Sequence, residues 1–483
     1  MKEIKMAMPF RLAFLLISLF GLVSCGNDND NSPVAPPPST GSSQVAFWLT
    51  NPDKTVLFKK QTASLNFKEA SNSYPTIEID TTQTYQSIDG FGFTLTGGSA
   101  YVISRMSTTA RADLLKELFA SDSTYIGISY LRLNIGASDL SPTVYTYDDL
   151  PEGETDPTLA NFSLAPDQTY YLPVLKEILA INPDIKLLAT PWSPPTWMKT
   201  NNGSVGGSLK SEYYDAYAQY LVKYIQAMKA EGITIDAITL QNEPLNDDNN
   251  PSMYMAATDQ ANFIKNNIGP ALQAAGLTTK IIIYDHNLDQ PDYPISILND
   301  AQAKPYIDGS AFHLYAGSIG NLLQVRNAHP DKNLYFTEQY TATTGDFAGD
   351  LNWHVENLIV GATRNYSRNV LEWNLVADAA NGPYTNGGCS TCLPGVTVGA
   401  TTPVRNVAYY IIAHASKFVR PGSVRIASNI TNNLQNVAFI RADGKKVLIV
   451  LNDNTSAQNF NISYRGKVVT TVLNGGAVGT YVW

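Results

Sequence analysis

Charge is scarce in this chain: 16% of its 483 residues are Asp, Glu, Lys or Arg, and the formal balance is −9. Such a composition offers no basic face for nucleic acid and no polybasic segment for an anionic membrane surface, so a neutral partner fits better. Histidine is scarce as well, five residues scattered without ligand spacing, and no metal site is expected. No glycine-rich loop follows the nucleotide-binding patterns, so no cofactor is expected either. Cysteine occurs three times, at Cys25, Cys389 and Cys392.

The apolar run from Leu12 to Val23 is too short to span a bilayer. With Lys2, Lys5 and Arg11 ahead of it and Leu22-Val23-Ser24-Cys25-Gly26 at its end, it reads as an export signal. That ending resembles the bacterial lipoprotein cleavage box, which implies a lipidated Cys25 at the mature N-terminus. An ordinary secretory signal with an incidental cysteine is the alternative. Residues 26–44 are acidic, then rich in Pro, Ser and Gly, and read as a flexible tether. The acidic residues beside Cys25 resemble the surface-export signal of Bacteroidetes lipoproteins. The implied location is the outer membrane, at the cell surface or on its periplasmic face, with the lipid as sole membrane contact. The remaining pair, Cys389-Ser390-Thr391-Cys392, reads in an exported protein as a local loop disulfide rather than half of a zinc site.

What the chain has is apolar and aromatic surface: 44% hydrophobic residues, with 27 Tyr and 6 Trp. Most of these serve a core, and flat rings also suit a sugar cleft. Eight β-prone runs alternate with amphipathic stretches, at Gly90–Leu95, Ser129–Ile135, Lys186–Trp192, Ala237–Glu243, Lys280–His286, Ser310–Tyr315, Asn333–Tyr340 and Asn369–Leu375. Ser211 to Glu231 carries Tyr214, Tyr217, Leu221, Tyr224, Ile225 and Met228 at helical spacing and stops at Gly232. The pattern predicts an α/β fold, a (β/α)8 or TIM barrel over residues 86–419. Residues 45–85 and 420–483 are rich in short β-runs and predict an antiparallel β-sandwich built from both chain ends.

Two carboxyls end predicted strands, Glu243 in Gln241-Asn242-Glu243-Pro244 on the fourth and Glu338 in Phe336-Thr337-Glu338-Gln339 on the seventh. In such a barrel both project into one mouth, and a pair of carboxyls across a scissile bond is what glycoside hydrolysis needs. A structural ion pair is the bland alternative.

With Asn242-Glu243-Pro244 and Glu338 go Ile88-Asp89-Gly90-Phe91-Gly92, Arg132 with Asp139, Thr190-Pro191-Trp192-Ser193-Pro194-Pro195, Phe312-His313-Leu314-Tyr315, Glu372-Trp373-Asn374 and Ala413-His414-Ala415. In this order, from about Val45 to Trp483, they resemble glycoside hydrolase family 30, which includes glucosylceramidase. The resemblance implies a retaining mechanism with Glu243 as acid/base and Glu338 as nucleophile, about 5–5.5 Å apart. It further implies that Asn242 binds the sugar 2-hydroxyl and that Arg132 and Tyr315 hold Glu338 ionised. Asp139, Trp192 and Trp373 would grip the sugar. Glu243 would start protonated. His313 either lines the pocket or satisfies the backbone; Asp285 and His286 stay equally open. The expected substrate is a β-glucan or β-glucoside, with endo-β-1,6-glucanase ahead of exo-β-glucosidase or glucosylceramidase, then of β-xylosidase or xylanase. A silent glycan-binding lipoprotein is the rival class, and Tyr464, Tyr481 and Trp483 are the sandwich's candidate binding aromatics. A monomer is expected.

Overall fold

The computed structural model describes residues 44–69, 71–400 and 402–483; Cys25 and the tether up to residue 43 lie outside the described residues. Eight parallel strands close into a barrel in chain order: β1 (Gly90–Leu95), β2 (Tyr130–Ile135), β3 (Lys186–Pro191), β4 (Ala237–Thr239), β5 (Lys280–Asn287), β6 (Ile307–His313), β7 (Asn333–Glu338) and β8 (Ser367–Asn374). Helices run between them, such as Tyr214–Ala230, which turns Tyr217, Leu221, Tyr224, Ile225 and Met228 inward. No helix among the described residues is long and apolar enough to cross a membrane.

Each predicted strand falls on an observed one, with two informative shifts. The fourth ends at Thr239, not Glu243, because the chain turns there and Glu243 adopts a φ of 44°. The sixth starts at Ile307, not Ser310, because Asp308-Gly309 looks like a turn yet lies within the strand. Gly309 is required there by crowding, since a Cβ would stand 2.2 Å from the Asn333 carbonyl oxygen of β7.

Strand periodicity of two sorts the barrel interior into layers. Tyr130, Leu188, Ala237, Ile282, Ala311, Tyr335 and Leu371 form an apolar plug inside the barrel. Two residues further along the strands, the inward positions become Arg132, Thr190, Thr239, His313, Thr337 and Trp373. The plug is thus the floor and the polar layer the base of the mouth.

The flanking β-structure forms one nine-stranded sheet that draws on both chain ends. Ala46–Thr50 pairs with Val478–Val482, and the long strand Thr76–Ser87 pairs with Val424–Ser428. Against the antiparallel expectation, Thr76–Ser87 also lies parallel to Gln458–Tyr464. A parallel partner is possible because these strands come from opposite ends of the chain and no hairpin joins them. Along Lys446–Asn452 alternate residues serve two cores: Leu448 and Val450 face the sandwich interior, while Val447, Ile449 and Leu451 pack with the barrel. Tyr481 is fully buried and stacked on Phe47 at 4.5 Å, and Tyr464 and Trp483 pack against each other and Phe67. These aromatics are therefore packing groups.

His414 ties the two parts together. Its Nδ1 and Nε2 each lie 2.8 Å from a hydroxyl, those of Thr480 and Thr50. Thr480 already donates to the His414 carbonyl, and Thr50 already accepts from the Phe58 amide. The network therefore assigns a neutral ring that donates from Nδ1 and accepts at Nε2. Burial holds its pKa down at about 3, against 6.5 ordinarily. Unfolded His414 binds a proton that the folded ring refuses, so its contribution is complete above pH 6.5 and is lost as pH falls from there toward 3. Urea unfolding across that window should show stability falling by up to about 1.4 kcal/mol per pH unit from this group. His414→Gln, which cannot charge, should flatten the fall; equal slopes would remove His414 from the account.

Candidate active site

The mouth is built on a buried cation. Arg132 on β2 is fully inaccessible, and its guanidinium reaches Glu338 Oε2 at 2.5 Å, Asp285 Oδ2 at 2.8 Å and Asn242 Oδ1 at 2.6 Å. Trp192 and Trp373, whose ring centroids are 5.5 Å apart, lie over it, with the guanidinium carbon 4.8 and 5.7 Å from their rings. A desolvated guanidinium is satisfied there by carboxylates, an amide oxygen and π faces together.

Asp285 occupies the barrel axis. It accepts from Arg132, from the hydroxyls of Thr239 (2.8 Å), Thr337 (2.7 Å) and Thr190 (3.3 Å), and meets His313 Nε2 at 3.2 Å. Burial opposes its charge, but Arg132 and His313 outweigh that and hold the carboxyl well below the usual range. Tyr284 and Asp285 both have positive φ, 73° and 66°, which brings Asp285 inward out of simple alternation. Such backbone costs about 1–3 kcal/mol per residue and persists only where surrounding bonds fix it.

Glu243, also at positive φ, accepts from Asn246 Nδ2 (2.7 Å) and faces His313 Nδ1 at 2.9 Å. Glu338 accepts from Arg132 and from the Tyr315 hydroxyl (3.1 Å). Oxygens of the two carboxyls and a His313 nitrogen lie within 4.8 Å of one another. That closeness fits the retaining arrangement, about 5–5.5 Å between carboxyls, in which one attacks while the other protonates the leaving oxygen. The same three groups could hold a metal ion by distance alone, but both His313 nitrogens are already engaged by Glu243 and Asp285.

The resting charges differ from the sequence expectation. Burial pushes Glu243 up, but the hydrogen bond and charge of His313, with His286, hold it down at about 2. Burial raises Glu338, and the charge of Glu243 adds to it against His313 and Arg132. His313 is held as a cation up to about 9, its burial offset by Glu338, Asp285 and Glu243. The expectation of a protonated Glu243 beside an ionised Glu338 left out the cation that the fold sets between them. His313 Nδ1 stands one 2.9 Å hydrogen bond from Glu243, within reach to pass it the proton the reaction needs.

Asp139, Trp192, Asn242, Glu243, Tyr315, Glu338 and Trp373 line one cavity of about 180 Å³, enough for one sugar ring. Asn246, Asn249, Tyr340, Cys389 and Cys392 complete its wall. Asp139 is almost fully buried there, and burial with the charge of Glu338 raises its pKa to about 7. Cys389 and Cys392 are bonded to each other. The Asp285 hub, the threonines around it and Asn246 were not assigned from sequence. The threonines could have been found by stepping two residues up from the plug, whereas Asp285 needs the backbone reversal to be known.

Two family models match the chain: the glycosyl hydrolase family 30 TIM-barrel domain over residues 88–419 and the family 30 beta sandwich domain over residues 422–481. The chain belongs to glycoside hydrolase family 30. Among family relatives, an endo-1,6-beta-D-glucanase of Neurospora crassa is 36% identical over 435 residues, covering 83% of this chain and 89% of the relative. The lysosomal acid glucosylceramidase of Mus musculus is 28% identical, covering 83% and 81%. A solved endo-beta1,6-glucanase superposes with a TM-score of 0.85 at 37% identity, covering 92% of this chain and 99% of its own. This family 30 member is thus a glycoside hydrolase.

If His313 carries the shared proton, His313→Gln leaves it to the carboxyls alone. The alkaline limb of kcat/KM, which reports loss of that proton in the free enzyme, should then move down by at least about one pH unit. An unmoved limb would show that His313 takes no part in protonating Glu243.

Proposed function

We propose that the protein is a retaining endo-β-1,6-glucanase. The observation that carries the mechanism is the pair Glu243 and Glu338, with oxygens within 4.8 Å in a pocket for one ring. Glu338, aligned by Arg132 and Tyr315, attacks the anomeric carbon as Glu243, protonated from His313 Nδ1, passes that proton to the departing oxygen. A covalent glycosyl-Glu338 forms and the shortened chain leaves. Glu243, now a carboxylate, takes a proton from water, whose oxygen attacks the same carbon and frees Glu338, so configuration is retained. Asn242, held by Arg132, is placed for the 2-hydroxyl, and Asp139 accepts hydroxyl hydrogens from the sugar. Trp192 and Trp373 supply the apolar faces of the pocket.

The choice of β-1,6-glucan rests on relatives: the endo-1,6-glucanases stand at 35–37% identity over most of the chain, against 28–31% for the glucosylceramidases and putative glucosylceramidases. The signal-like run that ends at Cys25 and the acidic, Pro-, Ser- and Gly-rich stretch after it support export to the outer membrane with a lipid anchor on Cys25.

Product analysis on β-1,6-glucan, β-1,3-glucan, β-1,4-xylan and glucosylceramide tests the substrate. Oligosaccharides from β-1,6-glucan alone are expected; glucose from glucosylceramide with the polymer untouched would replace the substrate and keep the mechanism. Glu338→Gln fills the same volume without a nucleophile, and kcat should fall by at least about 10³-fold with the fold intact. Wild-type turnover in that variant would sink the mechanism.

A further inference from the structure

The segment following β8 forms a wall of the pocket that the bond-breaking steps do not use. On one side it grips the main chain of Asp139: the Thr385 amide donates to the Asp139 carbonyl at 2.8 Å, with the Thr385 hydroxyl 3.1 Å from the same oxygen. Packing there is so close that a Cβ on Gly388 would stand 2.3 Å from the same carbonyl oxygen. On the other side Cys392 pairs with Ala342, in the loop just past Glu338, and the Thr343 amide donates to the Thr391 carbonyl at 2.9 Å. The Cys389–Cys392 bond closes the turn between these two grips, with Cys392 buried against Leu140, Trp192 and Trp373.

A carboxylate that recognises hydroxyls works only if its own position is fixed, to within about 0.5 Å. Asp139 stands on the loop after β2, and the residues that clamp its main chain, Thr385 and Gly388, come from the segment after β8 that the cross-link closes. Without the cross-link that turn can relax, and its grip on Asp139 loosens.

We propose that the Cys389–Cys392 disulfide is a positioning element of the active site, which holds the segment after β8 against Asp139 and thereby sets the affinity for the sugar in the reacting pocket. The proposal rests on the reading of Asp139 as a sugar-binding group. Neither cysteine bonds to Arg132, His313, Glu243 or Glu338, so losing the cross-link weakens binding more than it slows bond breaking.

The test is the Cys389→Ser/Cys392→Ser double variant of the full chain, alone and combined with Asp139→Ala. Alone, it should raise KM for the cleaved glucan about tenfold with kcat within about threefold, the scale seen when a supporting contact behind a ligand-binding group is lost. In the Asp139→Ala background the same pair should change KM less than about twofold, because the group it positions is gone. If the serine variant does not fold, folded wild-type enzyme reduced by dithiothreitol should show the same KM rise, reversed on reoxidation. An unchanged KM, or a KM rise that persists at full size beside Asp139→Ala, overturns the proposal. Should Asp139→Ala alone leave KM unaltered, the sugar contact itself fails, and the disulfide falls with it for a separate reason.

Discussion

The active site depends on a guanidinium held out of water. Arg132 is inaccessible, and the groups that answer its charge are those the chemistry needs: Glu338, Asp285 and, by hydrogen bond, Asn242. Removing one partner of such a buried pair costs about 3–5 kcal/mol, since the other charge is stranded. The cation also fixes geometry. One guanidinium nitrogen fixes Glu338 Oε2, the other fixes Asn242 and the Asp285 hub, and through Asp285 it sets His313 against Glu243. Acid/base and nucleophile are thus linked through one polar layer that stands directly on the apolar plug.

That layer needs a rigid frame, and the frame extends past the barrel. The sandwich shares apolar contacts with the barrel along Lys446–Asn452, and His414 bonds to Thr50 and Thr480 from the two chain ends at once. At the mouth, positive φ falls on Glu243, Tyr284 and Asp285, where the backbone turns the two acidic side chains toward the axis. Packing elsewhere offsets the cost, which is how a barrel tolerates unfavourable backbone at its working end.

Much of this was legible from sequence because it is local. Barrel strands announce themselves as β-branched runs between helical stretches, and strand-end carboxyls stand out against apolar neighbours. The start of β6 was misread because Gly309 signals a turn in isolation and answers to Asn333 on another strand. The parallel pairing of Thr76–Ser87 with Gln458–Tyr464 depends on which distant segments meet, and alternation within either strand carries no record of that. The resting charge state was misjudged for the same reason. Glu243 and Glu338 look like an acid and a base until the fold brings His313 to 2.9 Å from one of them. Asp285 follows apolar Ile281 to Tyr284 in sequence, and only its reversed backbone shows that it faces the axis.

The most direct test of the account is to trap the covalent sugar. A 2-deoxy-2-fluoro-β-glucoside with an activated leaving group slows release of the glycosyl-enzyme more than its formation, and peptide mass spectrometry then locates the bond. The account predicts one added fluoroglucosyl group on Glu338, absent from Glu338→Gln. An adduct on Glu243, or complete turnover of the reagent with inverted product and no adduct, would contradict it.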